Sequence, residues 1–284
     1  MRYLLGYVLG ALLLSAEIIP FEGTKLVYVY KGASPLPPVL LIHGWGCDHT
    51  FLAAQYEELA RTHKVLAIDL PGHGASESPA KLNIDTMVRA IEAVRKHAKA
   101  NRITIVGHSM GALIGREYAR KYPARVTGLV SLDGSIFQLP PGKADRERWA
   151  EGIVRLAQGF GPANDKQVRE RAISVFLSNL YTDETPRELQ MNILKRILAT
   201  KPETAEGMMT ILSDMRLWTE EAVNVPVLAL RAGKQQPPGE EVFLKTLFPK
   251  LQYKYMPGMS HFLMMEQPEK VNAEITAFLK ESKL

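Results

Sequence analysis

Ser109 stands between two glycines in Gly107-His108-Ser109-Met110-Gly111, where the apolar run Ile103–Val106 gives way to helix-like sequence. A serine hydroxyl is a poor nucleophile until a neighbouring base takes its proton. A G-x-S-x-G placed between a buried strand and a helix is a setting in which serine becomes one. Small neighbours let the backbone close into a tight turn, which holds the serine strained and exposed at its tip. A helix starting at Met110 would also aim its N-terminal dipole at negative charge developing there. The competing reading, a loop that merely collects small residues, does not explain the strand before or the helix after.

The base expected for this nucleophile is His261, in Tyr255-Met256-Pro257-Gly258-Met259-Ser260-His261, a loop following the last predicted strand. The other histidines have plainer settings. His43 is expected to shape a turn, His63 and His97 to cap helix ends or face solvent, and His73 to lie in a loop. His108, beside the nucleophile, is expected to project away from it. An oxyanion also needs donors, and His43-Gly44-Trp45-Gly46 follows an apolar run that can bring its backbone to the serine. The donors expected are the backbone N–H groups of Trp45 and Met110; losing one such donor typically costs about two to three orders of magnitude in rate.

The elements that must position these groups alternate regularly. Glu17–Gly32 reads as two strands joined at Glu22-Gly23-Thr24, the second alternating through Leu26, Tyr28 and Tyr30. Pro37–Gly44 and the run from Lys64 are continuous apolar strands, as expected where both faces are covered. Thr50–His63 and Asn83–Ala100 have helical spacing, with Asn83 or Asp85 as the N-cap of the second. Arg102–Val106, the helix Met110–Tyr122 and the strand in Arg125–Ser135 follow. Residues 136–222 carry helical periodicity without a strand, and from residue 223 the strand–helix rhythm returns. This order predicts an α/β class fold: a mostly parallel sheet with helices on both faces and an inserted helical cap over the carboxyl ends of the strands. The divisions expected are a signal-like segment or apolar helix over 1–16, core over 17–135, cap over 136–222 and core over 223–284.

Four motifs carry a family resemblance: His43-Gly44-Trp45-Gly46, Asp69-Leu70-Pro71-Gly72-His73-Gly74, the Ser109 turn, and Ser260-His261-Phe262. Together they resemble the α/β-hydrolase-fold superfamily, in its capped serine-esterase form similar to carboxylesterases, over roughly residues 17–284. The resemblance implies a catalytic triad in the chain order serine, acid, histidine. It usually places the acid in a Gly-x-x-Asp pattern, but here the corresponding residues are Gly233-Lys234-Gln235-Gln236. Gln236 could orient an imidazole but not stabilise an imidazolium. Asp133, at the end of the strand after the nucleophile helix, is the acid expected; Glu240 or Glu241 is the alternative. A structural role for Asp133, bracing the adjacent turn, competes with both.

The implied reaction is hydrolysis of a carboxylic ester, thioester or lactone of a largely apolar small molecule through an acyl-enzyme, needing no cofactor. Carbon–carbon bond hydrolysis, cofactor-free peroxidation, or ligand binding by a non-catalytic receptor of the same fold are the alternatives. Trp45 should border the nucleophile. Trp149, Phe160, Phe176, Tyr181, Met208, Met209 and Trp218 in the cap, with Met256, Met259, Met264 and Met265, could line an adaptable apolar pocket or simply form core.

The net charge of +5 arises from 35 Lys and Arg against 30 Asp and Glu that interleave, as in Arg146-Glu147-Arg148, so no nucleic-acid partner is expected. The chain has no phosphate-loop or dinucleotide motif and no metal-ligand spacing. Its one cysteine, Cys47, excludes an internal disulfide and reads as a buried spectator. The start, Arg2 followed by an apolar run from Tyr3 to Leu14 and then Ser15-Ala16, has the pattern of a secretory signal with a poor cleavage site. Cleavage would make the protein secreted or periplasmic. Retention would leave it cytoplasmic, or close to a membrane through residues 1–16.

Overall fold

The computed structural model describes residues 15–284, which contain one eight-stranded sheet in the order β1-β2-β4-β3-β5-β6-β7-β8. The strands are β1 (Ser15–Phe21), β2 (Thr24–Lys31), β3 (Val39–Ile42), β4 (Val65–Asp69), β5 (Ile103–His108), β6 (Val126–Leu132), β7 (Val227–Gly233) and β8 (Leu251–Pro257). β1 and β2 form an antiparallel hairpin whose turn residues Glu22 and Gly23 both have positive φ, a turn twist that matches the twist of the strands. β2 pairs antiparallel with β4, and every pairing from β4 to β8 is parallel. Every residue of β3, β4, β5 and β6 is buried. Their continuous apolar sequences reflect that burial, since helices cover both faces of such a sheet.

The helices of the core are α1 (Ala53–Leu59), α2 (Ile84–His97) and α3 (Met110–Lys121). The cap, between β6 and β7, contains α4 (Lys143–Phe160), α5 (Lys166–Ser178), α6 (Arg187–Ile197) and α7 (Pro202–Thr210), ending in a 3-10 turn at Met215–Trp218. The core closes with α8 (Glu240–Leu247), the short α9 (Leu263–Glu266) and α10 (Pro268–Glu281). Asn83, not Asp85, caps α2: its side chain accepts from the Thr86 N–H at 2.9 Å.

The chain leaving the cap is held by the buried Arg116 of α3, which donates to the carbonyls of Leu217 at 3.0 Å and Thr219 at 2.6 Å. The cap is thereby tied to the helix that follows Ser109.

Two expectations need correction. Ser15 and Ala16, counted with the N-terminal segment, open β1 and pair with Tyr30 and Val29; the rest of that segment lies outside the described residues. His63 is buried instead of exposed at a helix end, its Nε2 lying 3.2 Å from the carbonyl of Leu284. Among the described residues no helix is long and apolar enough to cross a membrane.

Candidate active site

β5 runs between β3 and β6, so the segments leaving those three strands emerge side by side at one edge of the sheet. Ser109, Gly44-Trp45 and Asp133 lie in them, and the loop after β8 adds His261 to the same edge. Ser109 sits in the strained turn expected, with φ 53° and ψ −122°, a region non-glycine residues rarely occupy. A Cβ at Gly107 would stand 2.6 Å from the Ala112 backbone, and one at Gly111 would stand 2.3 Å from the Ile42 carbonyl oxygen. No side chain fits at either position, so the G-x-S-x-G spacing follows from how closely α3 approaches β5 and β3.

His261 Nδ1 is 2.5 Å from Asp133 Oδ2. The other oxygen, Oδ1, accepts from the Ala232 N–H and from Arg231 Nη1, each at 3.0 Å. Burial works to raise the Asp133 carboxyl, but the His261 hydrogen bond, the charges of His261 and Arg231, and the Ala232 N–H together hold it below the usual carboxylate range. Asp133 is therefore the carboxylate that meets the histidine. Glu240 lies beyond Arg231, its Oε1 3.1 Å from Arg231 Nε, and Glu241 pairs with Lys245.

His261 and Ser109 face the same cavity, yet the hydroxyl partner of Ser109 among the described residues is Ser135 Oγ at 3.3 Å, not the imidazole. His108 departs from expectation. It does not project away; its ring packs 4.8 Å from that of His261, its Nε2 bonds to the His261 carbonyl at 3.0 Å, and it lines the cavity. Burial, followed by the charge of His261, pushes it down to about 3, so it stays neutral and can donate that bond.

The loop expected to hold an oxyanion is fixed from two sides. The Leu70 N–H donates to His43 Nε2 at 3.0 Å, so the proton resides on Nδ1 and is donated to the Gly44 carbonyl at 2.8 Å. Because the peptide is planar and trans, this directs the Trp45 N–H to the opposite side. A Cβ at Gly44 would lie 3.1 Å from Ser109 Cβ, which shows how near the loop passes to Ser109. From the cap, Thr200 Oγ1 donates to the Gly46 carbonyl at 3.0 Å, and the Trp45 indole donates to the Ala205 carbonyl at 2.8 Å. Arg196 of α6 reaches Asp48 at 3.3 Å and stacks 3.7 Å over the Phe51 ring. Trp45 and Met110 both line the cavity with Ser109.

That cavity, of about 230 Å3, is walled by Trp45, Phe137, Ile153, Phe176, Met209 and Phe262 among others, and no Asp, Glu, Lys or Arg lines it. Of the methionines expected near the site only Met209 of the cap lines the cavity, joined by Met110; Met208, Met259 and Met264 are buried core. Trp149 and Trp218 pack on each other and on Phe137. Cys47 borders the cavity but is buried, and burial pushes its thiol up, away from the reactive thiolate. Among the described residues no cluster of three metal-ligating side chains occurs.

Sequence reasoning missed Ser135, Arg231 and the pair His49–Asp69. Of these, Arg231 left a signal, since a charge in the buried run Val227-Leu228-Ala229-Leu230 onward requires a partner.

Comparison with known proteins gives a consistent picture. Residues 37–268 match the family described as the alpha/beta hydrolase fold. The 1-acylglycerol-3-phosphate O-acyltransferase ABHD5 of Rattus norvegicus is 25% identical over 271 residues, covering 84% of this chain and 76% of that protein. A pimeloyl-[acyl-carrier protein] methyl ester esterase of Methylococcus capsulatus is 37% identical over 126 residues, 44% of this chain and 47% of that one. A Caenorhabditis elegans relative is matched over only 43% of its own length. Among solved structures, a thermophilic esterase from Thermogutta terrifontis superposes with a TM-score of 0.79 at 24% identity, over 94% of this chain and 99% of that one.

Proposed function

The chain belongs to the α/β-hydrolase family, and from that premise we propose that it cleaves carboxylic esters of an apolar, uncharged substrate through an acyl-enzyme on Ser109. The observation that carries this reading is the strained Ser109 sharing an apolar cavity with a histidine whose far nitrogen is held by a buried carboxylate. As substrate enters, Ser109 exchanges its contact with Ser135 for one with His261 Nε2. His261 takes the hydroxyl proton as Ser109 Oγ attacks the carbonyl carbon, and Asp133 stabilises the resulting imidazolium. The Trp45 and Met110 N–H groups receive the oxyanion. His261 then gives the proton to the departing alkoxide, and water repeats the sequence on the acyl-enzyme. Thioesters and lactones are open to the same steps.

The name of the rat relative describes acyl transfer to 1-acylglycerol 3-phosphate. An acyl-enzyme can pass its acyl group to an alcohol as well as to water, but a phosphate-bearing acceptor would find no Lys or Arg among the residues lining this cavity. Hydrolysis of a neutral ester is therefore favoured. A second reading, a ligand receptor with little turnover, is favoured by one observation: the Ser109 hydroxyl rests on Ser135 and not on its base.

Intact-mass measurement after exposure to a fluorophosphonate separates the two. A single adduct on the wild type, absent from Ser109→Ala, together with turnover of p-nitrophenyl esters, is the expected result. No adduct on folded protein would overturn the hydrolase reading in favour of the receptor.

A further inference from the structure

Arg231 stands near the end of β7 between two carboxylates. Its Nη1 donates to Asp133 Oδ1 at 3.0 Å, and its Nε lies 3.1 Å from Glu240 Oε1. Glu240 Oε2 accepts from the Tyr253 hydroxyl at 2.8 Å. The Asp133 and Glu240 side chains are each 9% exposed and that of Arg231 29%. Starting from a protonated His261, the groups in line alternate in charge: imidazolium, Asp133, Arg231, Glu240. An unbalanced guanidinium against Asp133 would cancel much of the field that the carboxylate exerts on the imidazole. Glu240, on the opposite side of the guanidinium, offsets it.

Building on the assignment of Ser109, His261 and Asp133 above, we propose that Arg231 and Glu240 are positioning residues that set the strength of the triad acid. Arg231 fixes the Asp133 carboxylate in orientation, and Glu240 neutralises Arg231 so that Asp133 keeps its hold on the His261 imidazolium. The surrounding groups leave this arrangement undisturbed. His108 beside His261 is held neutral. Lys234, in the same polar cleft, pairs with Asp183 at 2.8 Å, and Glu241 pairs with Lys245 at 2.7 Å. Glu266 accepts from the Ser260 N–H at 2.6 Å. Burial pushes Glu240 upward against the opposing pull of Arg231 and Tyr253, so its charge depends on that pairing.

The test is the pH titration of the His261 imidazole, followed by NMR on the full chain, together with the pH profile of kcat/KM on a neutral ester. Glu240→Gln should lower the His261 titration by about half a pH unit or more, carrying the acid limb of kcat/KM to lower pH. Arg231→Met should move both the opposite way and by less, because Glu240 then takes up a proton. In the double variant the titration should return to within about 0.2 pH unit of wild type. A purely structural role would reduce kcat or Tm and leave the titration in place. An unmoved or raised His261 titration in Glu240→Gln overturns the proposal. Should Glu240→Gln not fold, Tyr253→Phe, which removes one bond to Glu240, carries the same test with the same sign and a smaller shift. The titration requires no turnover, so a protein that proves not to be an esterase still decides this point separately.

Discussion

The described chain contains two histidine–aspartate pairs at the carboxyl edge of its sheet, and they differ in what surrounds them. His261 and Asp133 are 2.5 Å apart; His49 Nδ1 and Asp69 Oδ1 are 2.8 Å apart. Both aspartates end or follow a core strand, both are buried, and both are held below the usual range against the effect of burial. Asp69 spends its oxygens on the loops beside it, accepting from the backbone N–H groups of His49 at 2.8 Å and Ala75 at 2.9 Å. Asp133 has φ 43°, whereas Asp69 has no positive φ, and His261 opens onto the Ser109 cavity, which His49 does not line. A His–Asp pair is thus a means of fixing a ring. Where the ring faces a cavity shared with a strained serine, as in His261, such a pair is open to chemistry; where it faces none, as in His49, it serves the architecture.

Substitutions should break the two pairs in different observables. Asp133→Ala is expected to lower kcat by about four orders of magnitude, with a stability loss of its own because it strands the Ala232 N–H and the Arg231 guanidinium; near-wild-type kcat in the folded variant would remove Asp133 from the proposed triad. Asp69→Ala should act on stability, by about 2–5 kcal/mol in urea denaturation, because it strands two backbone donors beside a histidine. An unchanged midpoint would contradict the architectural role.

A subtler contrast comes from pH. Burial works to lower His49, but the Asp69 hydrogen bond and charge prevail and raise it. Its contribution is fully present below the ordinary histidine range and lost as pH rises through the raised value. The lowered Asp69 contributes above the ordinary carboxylate range and loses that contribution as pH falls through its depressed value. The Tm penalty of His49→Asn should therefore be larger at about pH 5.5 than at about pH 8.5; equal penalties would show that the charge of His49 does nothing for the fold. Smallest of all, Thr200→Val removes the cap's hydrogen bond to Gly46. It should cost about 1 kcal/mol, read as a several-fold fall in kcat with Tm nearly constant, if the cap holds the oxyanion loop in place.

The strand–helix order and the turn at Ser109 were legible because each follows from local periodicity or from steric demands on glycine. Asp133 was legible as a strand-end acid only after Gly233-Lys234-Gln235-Gln236 proved to lack a carboxylate. His49–Asp69 was not, since its partners are 20 residues apart in sequence and no periodicity links them. Ser135 was likewise hidden, because its contact depends on a turn that returns the chain to Ser109: its N–H donates to the Ser109 carbonyl at 3.1 Å. Glu240 could be narrowed to a helix N-terminus, but its place behind Arg231 depends on the order in which β7, β8 and α8 pack.

The loop bearing His261 is stitched to the cap by its own backbone. The His261 N–H donates to the Leu180 carbonyl at 2.9 Å, and Thr182 Oγ1 donates to the Gly258 carbonyl at the same distance. The amide proton of His261 thus reports on that seam: its deuterium exchange is protected for as long as the Leu180 carbonyl stays in place, and separation of the cap from the loop would release it.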